Sequence, residues 1–136
     1  MSGLIGFEHV GMTASNAERT IAFYCDLLGL RLALRKSQPA GEMLFLDAGG
    51  GMLEIMVPNT PGLEPSRDVL PGEAGMRHLT LAFGDVDATL AELEAAGVEV
   101  IERPRDAHNT EMVKRVAFVR DPDGIIVELI ERAAGR

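Results

Sequence analysis

The chain has no tryptophan, one tyrosine and one cysteine among its 136 residues. Each scarcity excludes something. Few aromatic rings and a net charge of −8 leave neither a stacking platform nor a basic surface for nucleic acid. The same charge disfavours anionic membrane surfaces. Cys25 alone cannot close an intramolecular disulfide, which fits a reducing compartment such as the cytoplasm. No apolar run approaches the ~20 residues that a membrane helix needs. The opening "MSGLIGFEHV" lacks a basic region ahead of an apolar one, so no signal peptide is expected. What remains is a chain of ordinary apolar content, long enough to bury a real core as one domain over residues 1–136.

Laid over itself, the sequence repeats. "GFEHVGM" aligns with "GMRHLTL", placing His9 opposite His78. Behind each lies an amphipathic helical pattern, with Ala17, Ile21, Tyr24 and Leu28 in one and Val86, Leu90 and Leu93 in the other. Ser15-Asn16-Ala17-Glu18 reads as a capping box, and Asp85 or Asp87 can cap the second helix. Gly29 and Gly97 stand where a left-handed helix end is wanted. Each half closes on "DAGGGMLEIM" or "DPDGIIVELI", with a Glu seven residues after an Asp. The economical reading is two β-α-β-β-β modules, at about 4–58 and 76–132. They are joined by a proline-rich connection at about 59–75 that is too broken for a regular element. A second irregular stretch, "RPRDAHNTEM", separates the strands "VEVIE" and "VKRVAFV".

Strand alternation turns the repeat into chemistry. Glu128 shares a face with Ile126 and Ile130, and Glu54 with Met52 and Met56. His9 shares its face with Phe7 and Gly11, and His78 with Met76 and Thr80. An unpaired carboxylate in such an interior-type position would cost several kcal/mol to desolvate, or would take up a proton. Taken singly, each of the four could be a hydrogen-bonded core group. Taken together, a divalent cation satisfies all four at once, two carboxylates balancing its charge and two imidazoles completing the set. Two nitrogen and two hard oxygen donors suit Ni, Zn, Co or Mn.

The stretches "EHVGM", "AERTIAFYCDLLGL", "MLEIM", "RHLTLAF", "DVDATLAELEAAGVEV" and "VAFVRDPDGIIVELIE" resemble the vicinal oxygen chelate superfamily over nearly the whole chain. This is the glyoxalase/bleomycin-resistance/extradiol-dioxygenase group. The resemblance implies an α+β fold in which paired βαβββ modules form a curled mixed β-sheet around one metal site. Its ligands by position would be His9, Glu54, His78 and Glu128. The order His, Glu, His, Glu is similar to that of glyoxalase I. The implied activity is a lyase or isomerase reaction on a small-molecule carbonyl substrate, in which a proton leaves the carbon next to the carbonyl. Glu128 would be the base by resemblance, with Glu54 the second candidate.

Other members of the group offer alternatives. An epimerase of the methylmalonyl-CoA type shares the proton chemistry, but the compact "DPDG" turn differs from its usual longer segment. A dioxygenase-like oxidoreductase holds iron with two His and one carboxylate, so Glu54 counts against it. A non-catalytic binding or resistance protein typically lacks the ligands present here. Glyoxalase I enzymes usually carry an Arg four residues after the first His and an Asn four after the first Glu. Here those positions are Thr13 and Pro58, with Asn59 one step on. Thr cannot replace the forked grip of Arg on a carboxylate, so glutathione dependence is in question. Arg77, Lys114 or Arg115 could hold an anionic substrate instead, or be solvated surface charges.

The remaining features read more plainly. His108 is expected in an exposed loop, Cys25 as a packing residue, and "GGG" at 49–51 as a turn and not a phosphate cradle. The methionines are core filler or the lining of an adaptable pocket. A homodimer is expected, because Leu53, Ile55 and Val57, and Ile125, Val127 and Leu129, form apolar faces that need cover.

Overall fold

The computed structural model describes residues 3–62 and 64–136. The chain divides into two compact units, Met1–Leu63 and Glu64–Arg136. The first contains β1 (His9–Thr13), α1 (Ala17–Ile21), β2 (Arg31–Gln38), β3 (Gly41–Asp47) and β4 (Met52–Pro58). Its sheet order is β1-β4-β3-β2, with β1 parallel to β4 and the remaining pairs antiparallel. The second contains β5 (Leu79–Ala82), α2 (Val86–Ala95), β6 (Val100–Asp106), β7 (Val113–Arg120) and β8 (Ile126–Arg132). Its order, β5-β8-β7-β6, repeats the same pairing senses. The architecture is therefore two four-stranded mixed sheets of βαβββ connectivity. Among the described residues, no helix is long and apolar enough to cross a membrane.

The helix starts follow from their caps. Asn16, one residue past the Ser15 that the expected capping box would use, accepts a hydrogen bond from the Arg19 N–H (2.9 Å), and Asp85, not Asp87, accepts one from Ala88 N–H (2.9 Å). Gly29 and Gly97 end the two helical segments at φ of 88° and 84°, where a side chain would be strained. In α2 the apolar stripe is as periodicity requires, with Val86, Leu90 and Leu93 all buried. The first helix departs from it. After Ile21 the backbone widens into a π-helical turn over Ala22–Leu27, with Leu28 N–H reaching Phe23 O (3.1 Å). The wider turn lets the adjacent Phe23 and Tyr24 both bury, their rings edge to face at 4.8 Å.

The covered face of each sheet is aliphatic. Leu44, Leu46, Leu53, Ile55 and Val57 are buried in the first unit, and Val116, Val119, Val127 and Leu129 in the second. The apolar faces expected to need a partner subunit are therefore already covered within the chain, Ile125 alone being half-exposed. A second correction concerns "RPRDAHNTEM". Its first four residues belong to β6, which runs through Pro104 to Asp106. β6 is an edge strand with irregular register against β7, and an edge tolerates the missing proline N–H.

Candidate metal centre

Two turns launch the strands that carry the glutamates. Buried Asp121 accepts through Oδ1 from the N–H groups of Asp123 (2.8 Å) and Ile125 (2.9 Å). Gly124 closes that turn at φ 87°, packed so that a Cβ there would lie 3.3 Å from Pro65. In the first unit, Asp47 accepts from Gly49 N–H (2.8 Å), which with the Arg31 guanidinium holds its carboxyl below the usual carboxylate range. Seven residues beyond each Asp, the strand presents its Glu.

Parallel pairing then brings each histidine to its glutamate. In the first unit Gly11 of β1 is the register partner of Glu54 on β4. His9 lies two residues back on the same face, with Nε2 3.6 Å from Glu54 Oε2. In the second unit Thr80 is the partner of Glu128. His78, expected on the strand, lies immediately before β5, with Nε2 3.2 Å from Glu128 Oε1. The structure thus brings together the sequence-predicted residues as two equivalent pairs, one per unit.

Two residues of the site were missed from sequence. Phe45 is the antiparallel partner of Glu54, and Phe118 of Glu128. Their rings meet the imidazoles of His9 and His78 edge to face at 5.8 and 5.5 Å. Each imidazole is therefore flanked by a ring that limits its rotation. The signal was available in "MLFLD" and "VAFVRD", where a Phe precedes the turn Asp at both repeats.

The expectation that these four groups are interior needs correction. Side-chain exposure is 36% for His9, 30% for Glu54, 23% for His78 and 17% for Glu128. Alternation fixes which face a residue occupies, and the glutamates occupy the face opposite the aliphatic core. Met52 and Met56 flank Glu54 there, half-exposed. The donor chemistry nonetheless fits a divalent ion. Adjacent ligands bonded at 2.0–2.2 Å stand about 3 Å apart, close to the separations seen within both pairs.

A rival group, Asp85, Asp87 and Glu131, also brings three carboxylates within reach of one ion. All three are already engaged. Asp85 caps α2, Asp87 receives two hydrogen bonds from Arg115 (2.7 and 2.8 Å), and Glu131 accepts from Val86 N–H (2.9 Å). Arg115 is thereby committed to Asp87 and Asp106, and Lys114 lies 3.7 Å from Glu131, so neither serves as a ready anion grip. His108 is exposed in the loop after β6, and burial raises the Cys25 thiol above its ordinary value, disfavouring the nucleophilic thiolate.

A fold of two βαβββ units, each offering one imidazole and one carboxylate on its open face, defines a narrow class. The family profile described as the glyoxalase/bleomycin resistance protein/dioxygenase superfamily matches residues 6–129, and the chain belongs to that superfamily. The uncharacterized Escherichia coli protein YaeR is 33% identical over 135 residues, covering 97% of this chain and all of that one. A probable lactoylglutathione lyase of Synechocystis is 28% identical, covering 93% of this chain and 95% of the relative. The solved structure of SMU.1112c superposes with a TM-score of 0.74 at 32% identity, over 91% of this chain and 96% of that one.

Proposed function

We propose that this protein is a metal-dependent lyase or isomerase of the glyoxalase type, acting on a small carbonyl compound. The observation that carries the reading is the repeated apposition of imidazole and carboxylate, at 3.6 and 3.2 Å. His9, Glu54, His78 and Glu128 would hold one divalent ion (Ni, Zn, Co or Mn), within one chain or across two. When bound, the ion supplies Lewis-acid stabilisation of the negative charge that develops on the substrate oxygen. The chain's own task is the proton. One carboxylate, Glu128 or Glu54, takes it from the carbon next to the carbonyl, and the electron pair left behind moves onto the carbonyl oxygen. The same carboxylic acid returns the proton to the neighbouring carbon, so nothing is oxidised or reduced overall. Met52 and Met56 give Glu54 an apolar, adaptable border that a small substrate can lie against.

The name of the Synechocystis relative supports the lyase reading, and Thr13 sets this chain apart from a glutathione-gripping arrangement. Elemental analysis of the purified protein, paired with turnover of methylglyoxal with and without thiols, tests the proposal. The expected result is a bound divalent ion, activity abolished by chelation, and weak use of the glutathione adduct, below about 10⁴ M⁻¹s⁻¹. Protein that holds no metal and gains nothing from added metal defeats it. Bound iron with oxygen consumption would instead favour a dioxygenase-like reaction.

A further inference from the structure

Strand register sorts the open face of the first unit into rows that run across the sheet. One row is Gly11, Glu54, Phe45 and Leu34, and the next is Thr13, Met56, Met43 and Lys36. Met56, Met43 and Phe45 are half-exposed there, and Leu34 is exposed. Apolar side chains thus pave the sheet from Glu54 to its outer edge, β2, where Lys36 stands. The other two basic residues of β2 are neutralised, Arg31 by Asp47 (2.9 Å) and Arg35 by Glu42 (2.8 Å) and Glu18 (2.7 Å). Among the described residues, Lys36 has no such partner. The second unit closes the same positions. In its rows Glu128 and Phe118 are followed by Glu102, and Ile130 and Val116 by Arg105. Arg105 donates through Nε to Glu102, and Val116 and Ile130 are buried. Of the two units, the first keeps an open apolar row with an uncommitted ammonium at its end.

We infer that Lys36 grips a carboxylate on the far end of the substrate, so that this face selects carbonyl compounds with an apolar arm ending in a carboxylate. Where the reactive end lies rests on the function proposed above; the grip on the arm does not. Strands ~4.8 Å apart, offset by one row, put the Lys36 backbone on the order of 12 Å from that of Glu54. An arm of several carbons crosses that span while lying on Phe45 and Met43. Methionine is unbranched and polarizable, so the surface fits arms of varied shape, and covering it removes apolar area from water. The charge then decides which arms are held. One ammonium balances one carboxylate, whereas a phosphate dianion would bring surplus negative charge onto a chain that already carries −8. An edge lysine also keeps a strand from pairing with another chain. That duty needs charge at the edge only, and gives no preference between a charged and an uncharged arm.

Titration of the full chain with octanoate and with octanamide, its uncharged counterpart, followed by the ¹³C-methyl signals of the methionines, tests the inference. Octanoate should shift the Met43 and Met56 signals and leave that of Met112, in the second unit, in place. Octanamide should shift the same pair with affinity about 5-fold lower, the upper end for one exposed ion pair, and added salt should narrow the gap. Lys36→Gln should bind octanoate as weakly as octanamide, Lys36→Arg should keep the preference, and Lys114→Gln should change neither affinity. Equal affinities in wild type, or an unchanged preference in Lys36→Gln, overturn the grip. Met43 and Met56 signals that octanoate leaves unmoved remove the path of the arm. Signals that move with protein concentration before any probe is added put a second copy on this face and overturn the inference too. The titration needs neither metal nor turnover. Protein that turns nothing over therefore fails the lyase reading alone, and protein that turns over small carbonyl compounds yet ignores the charge of octanoate fails this inference alone.

Discussion

His9 and His78 each meet a glutamate across a parallel strand pair and the ring of the phenylalanine that is that glutamate's antiparallel partner, one strand further on. Phe45 and Phe118 limit ring rotation, so the nitrogen aimed at the carboxylate is held there without deep burial. If one ion takes both pairs, as proposed, the four residues depend on one another. Replacing His9, Glu54, His78 or Glu128 singly by Ala should weaken binding of a divalent ion by about 10-fold or more, as loss of a direct ligand does. Dialysis or calorimetry against Ni²⁺ or Zn²⁺ would show it. Full affinity in both His9→Ala and Glu54→Ala would rule out a site built from both units. The sequence made this set legible because the repeat aligned His9 with His78 and placed each Glu seven residues after an Asp. Exposure was not legible from it. Alternation says that Glu54 and Leu53 face opposite ways, but which face the helix and the aliphatic core take is decided by packing.

Among the elements, the segment after residue 63 is tied to the second sheet by an ion pair and a backbone bond. Arg120 grips both oxygens of Asp68 (2.9 and 2.8 Å) and Ser66 N–H donates to Asp123 O (2.8 Å). A groove of about 630 Å³ lies there, bordered by Pro65, Arg67, Leu70, Glu99 and Asp123. The Arg120 hydrogen bond holds the Asp68 carboxyl below its ordinary value. A lowered carboxylate contributes its tether fully above the unfolded value, near 4, and loses it as pH falls through the lower folded value. The tether should therefore hold at neutral pH and release in strong acid. Arg120→Ala should release it at neutral pH, which limited proteolysis would report as faster cutting within residues 64–72. An unchanged cleavage rate would show that the pair holds nothing in place.

Element boundaries were readable where local chemistry sets them, at Asn16, Asp85, Gly29 and Gly97. They were not where tertiary position overrides propensity. Pro104 reads as a breaker, yet at a sheet edge its missing N–H costs no ladder bond. The π-helical turn has no proline or glycine to announce it and follows from burying Phe23 and Tyr24 side by side.

For the molecule as a whole, the homodimer expectation loses its first argument, since the aliphatic faces are covered, and keeps another. Leu4, Ile5, Phe7 and Met76 are exposed, and Phe7 and Met76 each precede one of the proposed ligand histidines by two residues. Exposed large apolar side chains of this kind are a common mark of an interface. We predict a two-fold dimer, measurable by sedimentation at micromolar concentration, where a metal-loaded monomer would refute it. Mixing His9→Ala with Glu128→Ala protein distinguishes the site's origin. If each site draws one pair from either chain, mixed dimers regain one working site, whereas sites confined to single chains stay dead.

The parallel pairing of β1 with β4, and of β5 with β8, also orders events in time. Within each unit, β2, β3 and β4, or β6, β7 and β8, are sequential antiparallel neighbours joined by short turns. The outer strand must instead wait for a partner more than 40 residues along the chain (His9 to Met52, Leu79 to Val127), and closing the longer loop carries the larger entropy cost. Refolding should protect the amides of β3, β4, β7 and β8 before those of β1 and β5 in pulsed hydrogen exchange, and simultaneous protection would count against that order. A chain caught midway would hold its glutamates in place with the histidines still unattached, so ion capture would mark the completion of folding and could not seed it.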